Sequence, residues 1–225
     1  MKELNSNDPL VTLIVPAHNS EHLLKRCLSS LVAQTYKNLE IIVVVNACKD
    51  GTEGVARLFA DGDSRIRVIC TDVPGVSHAR NLALNSANGA YVGFADADDW
   101  AEPEMVDAMV SVAIDRDADV VCCGKITDTP NGSFVTSVAD RVTKISADEF
   151  YYGVLMAPYC GSVWNKLFRV GRLSAAASTK QWRLSKIQRF AAIWQQTNYV
   201  SSRYRVVSII TFPMKAALPM IYPVL

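Results

Sequence analysis

The sequence predicts an α/β fold, a mostly parallel sheet with helices on both faces. Three observations predict it. Apolar, β-branched runs alternate with stretches of helical periodicity through the first half of the chain. The connections between these runs are short. Polar residues collect just past the carboxyl ends of three of the runs, at 16–19, 46–51 and 96–99, where open α/β sheets bind their ligands.

The elements follow in order. Val11-Thr12-Leu13-Ile14-Val15 is a β-branched run stopped by Pro16, a buried first strand. Asn19 or Ser20 caps the next helix, whose Leu23, Leu24, Cys27, Leu28, Leu31 and Val32 recur at helical spacing and form one buried face. Residues 39–45 make the second strand, and Thr52 caps a short helix that ends near Ala60. Residues 65–70 alternate as the third strand, and a helix over 77–87 is ended by Asn88-Gly89. The fourth strand, Tyr91-Val92-Gly93-Phe94-Ala95, runs into Asp96-Ala97-Asp98-Asp99-Trp100. Pro103 opens a helix that turns Met105, Val106, Met109, Val110 and Ala113 inward. Residues 119–123 read as a strand, Asn131-Gly132 as the turn of a hairpin, and Ser146 to Glu149 as a capping box.

A chain of 225 residues suffices for one substantial α/β domain. The net charge of +1 argues for neither nucleic acid nor membrane, and residues 1–173 show no basic-aromatic face for nucleic acid. The charge is uneven: residues 174–225 hold seven basic residues and no Asp or Glu. The domain boundary is therefore expected at 173, followed by a basic, acid-free tail. The six cysteines form no CxxC pair, and most lie in apolar runs, which predicts buried free thiols in a reducing cytosol. The N-terminus lacks the apolar core of a signal peptide, and no uncharged run reaches transmembrane length. A cytoplasmic protein, peripheral at the inner face of the membrane if the tail binds lipid, is the expectation.

Three carboxylates within four residues at a strand end repel one another and call for a cation. Strand alternation places Asp96 and Asp98 on one side, where their oxygens can converge on a hard divalent ion that keeps positions for phosphate oxygens. A diphosphate-handling enzyme follows from that chemistry. A nucleotidyltransferase shares it, but Pro16-Ala17-His18-Asn19-Ser20 lacks the Gly-rich phosphate loop that class places after its first strand.

Several short stretches together resemble the family 2 glycosyltransferases: Val15-Pro16-Ala17-His18-Asn19, Gln34-Thr35-Tyr36, Asp50-Gly51-Thr52, Gly75-Val76-Ser77-His78-Ala79-Arg80-Asn81, Asp96-Ala97-Asp98-Asp99-Trp100 and Trp164-Asn165-Lys166-Leu167-Phe168. The resemblance covers about Leu10 to Leu173. It implies the Rossmann-like GT-A fold and transfer of a sugar, with inversion, from a nucleotide diphosphate sugar, UDP-linked foremost, to a glycan or lipid-linked acceptor, as in cell wall or polysaccharide synthesis. It implies that Pro16, Ala17 and Asn19 line the base, with Asn46 and Asp50 beside them, although Val45 and Asn46 replace the paired aspartates usual there. It implies Arg80 at the nucleotide, Asp98 and Asp96 on Mg or Mn, and Asp99, Trp164 and Lys166 on the acceptor side. His18 and His78 are expected to be non-catalytic.

Inverting transfer also needs a base for the acceptor hydroxyl. The family places an Asp or Glu after the Trp164 to Phe168 stretch, and residues 174–225 hold none, so no base is assigned. The expected alternative is a catalytically impaired nucleotide-sugar-binding protein. Two readings of the tail stay open: a truncated or frameshifted C-terminal part, or a native segment docking on anionic lipid.

Overall fold

The computed structural model describes residues 8–129, 132–136, 143–144, 163–170, 202–204 and 209–212. The first half alternates strand and helix: β1 (Val11–Ala17), α1 (Glu21–Val32), β2 (Leu39–Asn46), α2 (Thr52–Gly62), β3 (Ile66–Thr71), α3 (Val76–Ser86) and β4 (Tyr91–Phe94). There follow β5 (Trp100–Ala101), α4 (Met105–Asp115), β6 (Val120–Cys123), β7 (Lys125–Thr129), β8 (Gly132–Thr136), β9 (Thr143–Lys144), β10 (Lys166–Arg169), β11 (Ser202–Tyr204) and β12 (Ile209–Phe212).

The main sheet has the order β3-β2-β1-β4-β10-β6-β12-β9. Its first four strands are parallel, and β10 enters antiparallel between β4 and β6. A smaller sheet runs β5-β11-β7-β8. Residues beyond 173 thus contribute β12 to the main sheet and β11 to the smaller one. The expected hairpin is present as β7 and β8, with Thr129 paired to Gly132. The capping box at 146–149 and Cys160 lie outside the described residues.

Alternation along the buried strands divides the core between two faces. Leu13, Val15, Ile41, Val43 and Val45 pack toward α1, α2 and α4, with Leu24, Leu28, Val106 and Met109. Ile14, Ile42, Val44, Val92 and Phe94 pack toward Ala79 and Ala83 of α3. Each such side chain taken from water contributes about 1.5–3 kcal/mol. Helices therefore cover both faces, and the loops at the strand ends are left to form a site.

Several expected details change. The first strand runs through Pro16 to Ala17. The Ile14 carbonyl bonds the Ala95 N–H on the β4 side, and Pro16, two residues on, turns its missing N–H to the same side, where pairing with β4 has already ended at Phe94. Leu23 is 42% exposed, because Leu24, Cys27, Leu28 and Leu31 already fill the stripe that α1 lays on the sheet. Pro103 precedes α4, whose N-cap is Glu104. Cys27, Cys122 and Cys123 are buried as expected, whereas Cys48 is half-buried and Cys70 exposed. Among the described residues no helix is long and apolar enough to cross a membrane.

Candidate functional site

The loops after β1 and β2 are built on each other. The Ser20 N–H donates to Thr52 Oγ1 (2.7 Å), the Glu21 N–H to Asp50 Oδ2 (3.1 Å), and the Gly51 N–H to Glu21 Oε2 (2.9 Å). Asp50 Oδ1 accepts from the Thr52 hydroxyl (2.5 Å) and its N–H (3.1 Å). Asp50 thus satisfies orphan amides at the N-termini of both α1 and α2, and Thr52 is the first residue of α2 rather than its cap. Ser20 occupies the N-cap position of α1, but its hydroxyl donates to the His18 carbonyl (3.0 Å) and no side chain of its own caps the helix. The Thr52 hydroxyl and the two amides hold the Asp50 carboxyl below the usual carboxylate range.

A cavity of about 250 Å³ opens beside this joint, lined by Pro16, Ala17, His18, Asn46, Pro74, Gly75 and Val76. It sits at the carboxyl ends of β1 and β2 and the N-terminus of α3. Gly75 has φ +123, a conformation open to glycine, and its carbonyl accepts from Asn46 Nδ2 (2.7 Å). That bond turns Asn46 Oδ1 the other way. Asn46 is 3% exposed, and Oδ1 is buried with no hydrogen-bond partner. His18 Nδ1 lies 2.6 Å from the Asn46 carbonyl, which only accepts, so the proton is on Nδ1. Asn19, at φ 46, ties this loop to the next by accepting from the Lys49 N–H (2.8 Å). Pro16, Ala17 and Asn46 therefore meet in the lining; Asn19 and Asp50 stand outside it.

The acidic stretch does not continue β4. The strand ends at Phe94, and 96–99 form a turn closed by the Asp99 N–H on the Asp96 carbonyl (3.0 Å). The strand alternation expected to align Asp96 with Asp98 therefore does not operate; a turn sets their directions. Asp98 and Asp99 are 6% and 5% exposed. Arg80 Nη2 donates to Asp96 Oδ1 (2.9 Å). The Asp96 side chain is 32% exposed, yet burial pushes its carboxyl above the usual range, Arg80 pulls it down and the Asp98 charge pushes it up again. The Arg80 Nε is buried without a partner. Burial first, then the charges of Asp99, Asp96 and Asp98, raise the nearby Cys27 thiol.

The donor set fits a divalent cation in type. Asp96 and Asp98 offer hard carboxylate oxygens in a partly desolvated turn whose negative charge Arg80 offsets only in part. Two carboxylates leave positions for phosphate oxygens. Among the described residues no cluster of three or more His, Cys, Asp or Glu could form a protein-only metal cage.

The family model described as Glycosyl transferase family 2 matches residues 12–161. The chain belongs to that family. Glycosyltransferase GlyA of Streptococcus pneumoniae serotype 4 is 40% identical over 113 residues, covering 50% of this chain and 16% of GlyA. The chain spans half the length, or less, of the curated relatives it matches. Among solved structures, S. aureus TarS 1–349 in complex with UDP superimposes with a TM-score of 0.61 at 21% identity, over 90% of this chain and 60% of that TarS fragment. The mannosyltransferase PcManGT from Pyrobaculum calidifontis, in complex with GDP-Man and Mn2+, gives 0.56 at 20% identity, over 91% and 57%. The fold is GT-A.

Other glycosyltransferase motifs take structural positions of their own. Trp164 lies under Lys125, whose Nζ is 5.5 Å from the ring centroid. Lys166 is 4% exposed, and its Nζ donates to Asn165 Oδ1 (2.8 Å). Gln34, fully buried, bonds the main chain at Glu102 and Val106. His78 Nε2 stands 3.4 Å from the Thr71 hydroxyl. Sequence reasoning missed Arg26, whose Nη2 donates to the Asp98 carbonyl (2.7 Å) and whose guanidinium lies 3.8 Å from the Trp100 ring centroid. Its signal was a polar four-residue repeat, Arg26, Ser30 and Gln34, beside an apolar stripe. It also missed Pro74, and it placed Gly75 in a motif without placing it at the cavity that the two residues line.

Proposed function

We propose that this chain transfers a sugar, with inversion, from a nucleotide diphosphate sugar to a hydroxyl of a glycan or lipid-linked acceptor. The observation that carries this reading is a cavity at the strand ends whose lining includes Asn46, a residue with a buried, unpartnered Oδ1. A buried acceptor of that kind is costly unless a ligand donates to it, and a base with a ring N–H, as in uracil or guanine, does so. UDP in TarS and GDP-Man in PcManGT support a nucleotide in the same fold.

In this reading Pro16 and Ala17 pack against the base, Asn46 accepts its ring N–H, and Asn19 and Asp50 shape the loop beside it. Arg80 supplies a guanidinium for phosphate oxygens. Asp98, with Asp96, would hold Mg or Mn, which supplies positive charge for the departing diphosphate; the Mn2+ in PcManGT supports that choice. Asp99, Trp164 and Lys166 belong to the acceptor side. No base is assigned. A second reading, a nucleotide-sugar-binding protein of impaired activity, is favoured by the absence of any Asp or Glu in residues 174–225.

A thermal-shift screen of UDP, GDP and their sugars, with Mn2+ and with EDTA, tests the binding part. A rise in melting temperature that needs Mn2+ and is lost in Asp98→Ala supports it; no response to any nucleotide ends it. Release of nucleoside diphosphate with any acceptor separates the transferase from the impaired binder.

A further inference from the structure

Helix α1 and the residue pair after it carry three polar rungs at four-residue spacing. Arg26 donates to the Asp98 carbonyl (2.7 Å), Ser30 Oγ accepts from the Ala101 N–H (3.0 Å), and Gln34 reaches the Glu102 carbonyl (2.8 Å) and the Val106 N–H (3.1 Å). These partners are main-chain atoms between Asp98 of the acidic turn and Val106 at the start of α4. The Ser30 and Gln34 rungs seat β5 and the start of α4, which is scaffold. The Arg26 rung differs, because it is cationic and ends on the acidic turn itself. Its guanidinium also lies 3.8 Å from the Trp100 ring centroid, so one side chain grips the residues on both sides of Asp99. A planar guanidinium can lie on an indole face and donate in its own plane at once, which a lysine ammonium cannot.

We infer that Arg26 is a positioning residue for the acidic turn: by holding the Asp98 carbonyl and the Trp100 ring together, it sets the direction in which Asp96 and Asp98 meet a nucleotide diphosphate and its cation. The role rests on the donor-site reading above. Charge supports it. Burial first raises the thiol of the adjacent Cys27; Asp99, Asp96 and Asp98 raise it further and Arg26 lowers it, so the guanidinium and the three carboxylates act on the same spot. In this role Arg26 acts through the turn.

The test uses the full chain with Arg26→Leu and Arg26→Lys. In the first arm, amide hydrogen exchange is followed over residues 96–101 without ligand. Loss of a charged hydrogen bond and its stack speeds exchange there about tenfold in Arg26→Leu, with β1 and β2 protected as in the parent and Arg26→Lys in between. Unchanged protection overturns the inference. In the second arm, UDP binding is measured by calorimetry with Mn2+ and with EDTA. The expected result is a loss of about tenfold in the Mn2+-bound affinity of Arg26→Leu while the EDTA value stays. An equal loss in both conditions overturns positioning and leaves Arg26 as packing. Should the parent bind UDP no better with Mn2+, the donor-site reading fails, and the exchange arm still decides whether Arg26 holds the turn. If Arg26→Leu does not fold, Arg26→Lys is read by the same two arms.

Discussion

Arg80 Nη2 lies 2.9 Å from Asp96 Oδ1, joining α3 to the acidic turn across the end of β4. The pair places a cation where the charge of two neighbouring carboxylates would otherwise accumulate. Losing Asp98, the other carboxylate of this pair, leaves Arg80 and Asp96 to neutralise each other. Asp98→Ala is therefore expected to keep its fold, to lose the Mn2+-dependent part of nucleotide binding, and to lower sugar transfer about hundredfold or more. Calorimetry with UDP, with and without EDTA, checks the first effect, and a nucleotide-release assay the second.

Removal of Arg80 changes the proton balance of the turn. Burial raises Asp96, and Arg80 is the group that lowers it. A carboxyl raised in the folded state binds protons more tightly folded than unfolded, so stability falls as pH rises through the window between the two values. Arg80→Ala raises the folded value further and widens that window. Its unfolding free energy is expected to drop more steeply with rising pH in the weakly acidic range than that of the parent, as read from urea melts at several pH values. Parallel profiles would contradict the pairing.

Asn46→Asp restores the residue type common in the family, yet it is expected to be costly here. The Asn46 amide donates to the Gly75 carbonyl, and a carboxylate in its place sets oxygen against oxygen in a site 3% exposed. A loss of about 2 kcal/mol is expected from urea melts at neutral pH, with the loss shrinking as acid protonates the new carboxyl.

Glu40 on β2 collects the Thr12 hydroxyl (2.6 Å), the Asn88 N–H (2.9 Å) and amide (2.8 Å), and Arg67 (2.9 Å), locking three strands at the end of the sheet away from the cavity. Burial by itself raises this carboxyl; the bonds from Asn88, Thr12 and Arg67 outweigh it and hold the group below the usual range. A depressed carboxyl stabilises above its unfolded value, and that contribution is lost as pH falls through the folded value. Glu40→Gln is expected to be less stable than the parent by about 1–2 kcal/mol at neutral pH, and the gap closes in strong acid. A gap that persists there would assign the effect to packing.

Gln34 fills a fully buried position and satisfies three main-chain groups with one amide, donating to the Ser30 and Glu102 carbonyls and accepting from the Val106 N–H. Gln34→Ala removes all three bonds at once; the Glu102 carbonyl keeps the Met105 N–H, while the buried Val106 N–H loses its Gln34 acceptor, at an expected cost of about 1–3 kcal/mol by chemical denaturation. Nucleotide affinity of the fraction that stays folded is expected to hold, since the rung ends on β5 and α4.

The sequence alone determined the strands and helices of the first half, because alternation and helical spacing of apolar residues are local properties. It determined the family, because the short motifs keep their order, and it marked the strand ends as the place for a site. It erred where an outcome depended on a neighbour. Pro16 ends a strand only if a partner needs its N–H, and β4 has already turned away at that point. Leu23 is apolar but falls outside the stripe that α1 presents to the sheet. The two helix N-termini that the Asp50 carboxylate ties together are likewise set by the fold and not by spacing along the chain. The tertiary structure alone decided which charge meets which: Arg80 with Asp96 and Arg26 with the Asp98 carbonyl join residues 16 and 72 positions apart. Such pairings follow from the order of strands in the sheet, which places loops side by side, and spacing along the chain carries no record of that order.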